Sequence, residues 1–89
     1  MAAARLKPVP QVLARRMPGG TVLVNLASNR IFELNETGAR VWELMSAGLD
    51  RDQLIEQLVQ EFAVDAARAS VELDTLLARL EREGLLSTS

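Results

Sequence analysis

The hydrophobic period of this chain changes in mid-segment. In "RIFELNETGARVW", Arg30 to Trp42, the first five residues alternate as a strand does, with Phe32 and Leu34 on one face and Ile31 and Glu33 on the other. From Asn35 onward the spacing is helical, and Ala39, Val41, Trp42 and Met45 fall along one inward face with Leu44 beside it. Asn35 accounts for the switch, since its side-chain oxygen can accept an orphan N–H two or three residues on and so start a helix. Any fold must therefore take this chain from a strand straight into a helix.

Upstream, "QVLARRM" and "TVLVNL" are β-prone runs separated by "PGG", whose fixed Pro18 φ and two glycines suit a hairpin. The turn-forming "ASN" then leads into the third strand, Arg30 to Leu34. Downstream, Gly48 stops the first helix, and Asp50 caps a second that presents Leu54, Ile55, Leu58, Val59 and Phe62. Val64 and Asp65 open a third, whose stripe of Leu73, Leu76, Leu77 and Leu80 runs until Gly84. The order predicts an α+β fold, a three-stranded antiparallel sheet followed by three helices, compatible with a winged helix-turn-helix body. Order and connection length alone leave several packings open.

A chain of 89 residues suits one small domain. Residues 1–10, with Pro8 and Pro10 among small residues, are expected to form a flexible arm, and 11–86 the single domain. Leu85 and Leu86 should fold back onto the core, leaving 87–89 as a frayed tail.

The chain has no His, Cys or Tyr, which removes the commonest general base, the commonest covalent nucleophile and a phenolic acid together. Its one lysine, Lys7, lies in the arm, and most carboxylates fall at helix caps or on polar faces. An enzyme is not expected. Asp50 and Asp52 resemble the start of a calcium loop, but the central Gly and final Glu of that loop are missing, so no metal is expected. "PGG" lacks the strand-to-helix setting of a phosphate cradle, and no cofactor is expected. Without cysteine, a signal-peptide run or a segment of ~20 apolar residues, the reading is cytoplasmic, with no membrane partner.

Charge is divided unevenly, with six basic against two acidic residues in 1–40 and four against ten in 41–89. Acidic caps explain part of this; a basic strand region meeting an acidic partner is the functional alternative. A winged-helix body usually reads DNA through a helix in the major groove. Here the third helix sets Arg68, Arg79 and Arg82 against Asp65, Glu72, Asp74, Glu81 and Glu83, a net acidic surface that repels phosphate. Nucleic acid is therefore not expected as a partner, and a DNA-binding protein stands only as an alternative. An interaction module remains, because a third strand at the sheet edge can accept an extended peptide as an added strand.

As a string, "VLVNLASNRIFELNETGARVWELMSAG" resembles the family of pyrroloquinoline quinone synthesis protein D, the PqqD-like prototype of the recognition elements that bind leaders of ribosomally made, modified peptides. Leu34, Asn35, Thr37, Gly38, Ala39 and Trp42 stand at the family's usual places. "LIEQLVQEFAV" and "VELDTLLARLEREGLL" follow as similar segments, so the resemblance covers about residues 20–86. Glu72 departs conservatively from the Asp of many relatives, and "GARVW" after "LNET" resembles stand-alone members serving lasso-peptide biosynthesis.

The resemblance implies a non-catalytic adaptor that binds a precursor's leader peptide by strand addition to the third strand, against the third helix. It would present that leader to a modifying enzyme, in lasso pathways the leader peptidase. A pyrroloquinoline quinone pathway peptide chaperone is the alternative with the same cleft. Carried onto this sequence, the peptide-binding residues are Arg30, Ile31, Phe32, Glu33 and Leu34, chiefly through backbone, with Ala67, Arg68, Val71, Asp74, Thr75 and Ala78 on the helix. Arg68 would pair with an acidic leader residue.

Overall fold

The computed structural model describes residues 6–88. Its elements are β1 (Leu6–Pro8), β2 (Val12–Met17), β3 (Gly20–Asn25), β4 (Arg30–Asn35), α1 (Glu36–Ser46), α2 (Arg51–Phe62), α3 (Ala66–Arg82) and β5 (Leu86–Thr88). The expected three-stranded antiparallel sheet is present in the order β2-β3-β4, so β4, the third strand of the sequence reading, is an edge. Three helices follow it.

Each helix begins where a side chain replaces a missing backbone acceptor. Asn35 Oδ1 accepts the Gly38 N–H at 2.9 Å, and Asp65 Oδ1 accepts that of Arg68 at 2.7 Å. Asp50 takes the Gln53 N–H while the Gln53 side chain takes that of Asp50, a reciprocal capping box. The α1 start therefore needs no loop after β4: one residue ends the ladder and caps the helix.

The core lies between one face of the sheet and the helices. Leu23 and Leu34 from the sheet meet Ala39, Val41, Trp42, Leu44 and Met45 of α1, and Leu54, Leu58, Leu73, Leu77 and Leu80 complete the cluster. Leu44, expected beside the inward face, is buried with it. Full burial of a leucine such as Leu23 or Leu80 contributes about 1.5–3 kcal/mol, so this cluster dominates stability.

The ends of the chain correct the expected arm and tail. Leu6–Pro8 pairs antiparallel with Leu86–Thr88, Lys7 opposite Ser87, and the Val9 N–H donates to the Leu85 carbonyl. Buried Leu85 and Leu86 hold the second strand in place, and a prolyl segment already extended needs little ordering to join it. The paired unit therefore runs from 6 to 88 rather than 11 to 86, while the part of the arm in 1–5 and the final Ser89 lie outside the described residues.

Much of the uneven charge is neutralised internally. Arg16, Arg30 and Arg40 from the basic half pair with Glu43, Glu83 and Glu61 from the acidic half.

Candidate functional site

The outer edge of β4 has a phase that the register fixes. Leu26 N–H donates to the Gln11 carbonyl at 2.9 Å, so alternate β3 residues, Val24 and Val22, turn their backbone groups toward β2. Thr21, Leu23 and Asn25 must then turn theirs toward β4, where they face Leu34, Phe32 and Arg30. Two observations agree: the Asn25 carbonyl accepts the Asn29 N–H at 2.7 Å, and a Cβ on Gly20 would run into the Leu34 carbonyl. Ile31 and Glu33 consequently point both N–H and C=O outward, two donor–acceptor pairs spaced about 7 Å apart.

Beside this edge lies an open groove of about 470 Å³ between β4, the start of α1 and α3. Phe32, Glu33, Leu34 and Asn35 form one wall, Thr37 and Gly38 one end, and Val71, Glu72, Thr75, Leu76 and Arg79 the other wall. Gly38 matters to this shape, since a Cβ there would sit 3.2 Å from the Leu34 side chain and crowd a core residue. The lining is mixed: apolar Phe32, Leu34, Val71 and Leu76 stand beside Glu72, Arg79 and the outward backbone groups of Glu33, whose side chain alternation turns to the other face of the sheet.

Of the residues carried over from the sequence, Phe32, Glu33, Leu34, Val71 and Thr75 meet in this groove. Arg30 stands beyond it and reaches Glu83 at 3.3 Å, and Ile31 contributes its edge while its side chain stays 68% exposed. Ala67 and Ala78 are exposed on α3 outside the lining. Asp74 turns to α2, where Arg51 grips both its oxygens at 2.8 Å and holds its carboxyl below the usual range. Arg68 folds along its own helix to Glu72 at 3.3 Å.

The groove residues missed by sequence reasoning are Asn35, Thr37, Gly38, Glu72, Leu76 and Arg79. One signal was available: 71, 75 and 79 lie on one line of a helix. Arg79 sets its guanidinium 5.1 Å from the Phe32 ring centroid, at the end of the groove where Arg30 meets Glu83. Among the described residues, no three Asp or Glu side chains converge on a metal position, and no buried side-chain polar atom lacks a partner. What the arrangement offers is backbone pairing beside a shallow amphipathic trough. No helix of the described residues is long and apolar enough to cross a membrane.

A family model described as coenzyme PQQ synthesis protein D (PqqD) matches residues 20–86. Among solved structures, TbiB1 in complex with the TbiA(beta) leader peptide is similar at TM-score 0.87 and 25% identity, over 91% of this chain and 94% of that one. A lasso peptide synthetase B1 complexed with the leader peptide is similar in fold at TM-score 0.86 and 20% identity, over 93% and 98%. No curated protein sequence matches the chain.

Proposed function

The chain belongs to the coenzyme PQQ synthesis protein D family, and on that footing we propose that it is a non-catalytic adaptor that binds the leader of a ribosomal precursor peptide. The leader adds as a strand to β4, pairing with the outward groups of Ile31 and Glu33, and sets alternate side chains into the groove against α3. The observation that carries this reading is the coincidence of the free edge with the groove: backbone pairing supplies affinity, and the adjacent trough selects side chains. The likeness to TbiB1 in complex with the TbiA(beta) leader peptide supports the same occupant, and a leader peptidase is the enzyme we infer the chain serves.

Titration of ¹⁵N-labelled protein with a synthetic lasso-precursor leader peptide tests the reading. Shifts should concentrate in Arg30–Asn35, Thr37–Gly38 and the α3 positions from Val71 to Arg79. Shifts restricted to α2 or the β2-β3 turn would defeat it. The matched family keeps a second reading, a peptide chaperone of the pyrroloquinoline quinone pathway, through the same cleft. Competition between the two precursor leaders for one labelled sample decides which is the substrate.

A further inference from the structure

We propose that the face of the three-stranded sheet turned away from the helices is a self-complementary surface, on which a second copy of this chain packs about a two-fold axis running along β3. The register aligns Leu13, Val24 and Ile31 in one row across the three strands, and Arg15, Val22 and Glu33 in the next. Alternation points these residues away from the core, since their strand neighbours Leu23 and Leu34 are the ones buried under α1. Leu13 is 56% and Ile31 68% exposed, an apolar row that no other described element covers.

The charges select the occupant. A two-fold along β3 brings β2 of one copy over β4 of the other, so Arg15 faces the second copy's Glu33, and Glu33 its Arg15. Leu13 falls over Ile31 and Val24 over Val24. The other in-plane two-fold, across the strands, sets Arg15 against a second Arg15, lays Leu13 on a charge, or, when it passes through the Leu13 row, pairs the apolar residues but gives neither Arg15 nor Glu33 an opposite charge. Only the first axis pairs apolar with apolar and positive with negative, in the aligned, ~10 Å spaced manner of packed sheets. This packing uses the face and leaves the outer edge of β4 open, so it does not depend on leader binding. Six residues on each of three strands present far less than the ~800 Å² per partner of a standard interface, and the association is expected to be weak and reversible.

Sedimentation equilibrium of the full chain, carried to millimolar concentration, tests this. A monomer–dimer equilibrium is expected. Arg15→Glu and Glu33→Arg should each raise the dissociation constant about tenfold, because both symmetric contacts turn repulsive. The double variant Arg15→Glu/Glu33→Arg should return to within about threefold of the parent. Circular dichroism, unchanged across the three variants, separates lost association from lost fold. A chain that stays monomeric throughout overturns the proposal. So does a dimer indifferent to Arg15→Glu, or a double variant that fails to recover.

Discussion

The guanidinium of Arg79 lies 5.1 Å from the centroid of the Phe32 ring, joining α3 to the edge strand at one end of the groove. A cation over an aromatic face contributes about 0.5–1 kcal/mol at an exposed site. Arg79→Ala should therefore lower the unfolding free energy by about 0.5 kcal/mol in urea titration. It should also weaken the proposed leader about threefold, as one wall of the groove loses its order.

Proline substitution reads the phase of β4 directly. The Ile31 N–H points outward, so Ile31→Pro removes a donor that no strand among the described residues uses. It should leave the sheet intact by circular dichroism and weaken the leader about tenfold, the worth of one backbone hydrogen bond. Phe32→Pro removes a donor that β3 does use, and should destabilise the fold itself by about 3 kcal/mol. Equal damage from both would show that the assigned phase is wrong.

Asn25 ties the sheet to the end of α3. Its amide donates to the Gly84 carbonyl at 3.1 Å, and its Oδ1 accepts the Ala27 N–H at 2.9 Å inside a buried setting. Asn25→Ala strands both partners and should cost about 1–3 kcal/mol, measured as a shift of the urea midpoint at constant slope. The β1-β5 pair beyond Gly84 should lose amide protection first.

The seam at Asn35 was legible because both of its signals, the change of period and the cap, are local. The groove was legible only in part. Helical spacing put Val71, Asp74, Thr75 and Ala78 on a flank of the leucine stripe, but a stripe fixes which side is buried and not which flank meets β4. Arg51 on α2 draws Asp74 to the far flank, and Glu72, Leu76 and Arg79 turn toward the strand instead. The pairing of Lys7 with Ser87 was out of reach for another reason: short segments at opposite ends carry no period of their own, and their register is tied to the burial of Leu85 and Leu86 in the core.

Ala63 ends α2 in the left-handed region, at φ 53 and ψ 37. A Cβ is disfavoured there, and glycine is the usual residue at such a helix end. Ala63→Gly should stabilise the protein by about 0.5–1 kcal/mol, the relief of the Cβ clash less the greater freedom glycine has when unfolded. Thermal melting checks the sign: a lower midpoint would contradict the assigned conformation.

Acid should loosen the helices through two carboxylates. The Arg51 side chain, hydrogen-bonded to Asp74, holds that carboxyl below its ordinary value against the opposing effect of burial, and Arg40 does the same to Glu61. A carboxylate whose pKa is lower folded than unfolded contributes stability in full above the unfolded value, and loses it as pH falls through the folded one. The arginine partners are raised from a value already far above neutrality, so they add nothing to the acid limb. Stability should thus be flat near neutral pH and decline below about pH 4, the ordinary carboxylate range. Both pairs are solvent-facing, which keeps the Asp74 share to a few tenths of a kcal/mol. Asp74→Asn should lose that small increment at pH 7 and show a shallower decline in acid, because a carboxyl whose pKa is lower folded than unfolded is gone. An acid limb of unchanged slope in Asp74→Asn would mean that Arg51 and Asp74 do not couple α2 to α3 in solution.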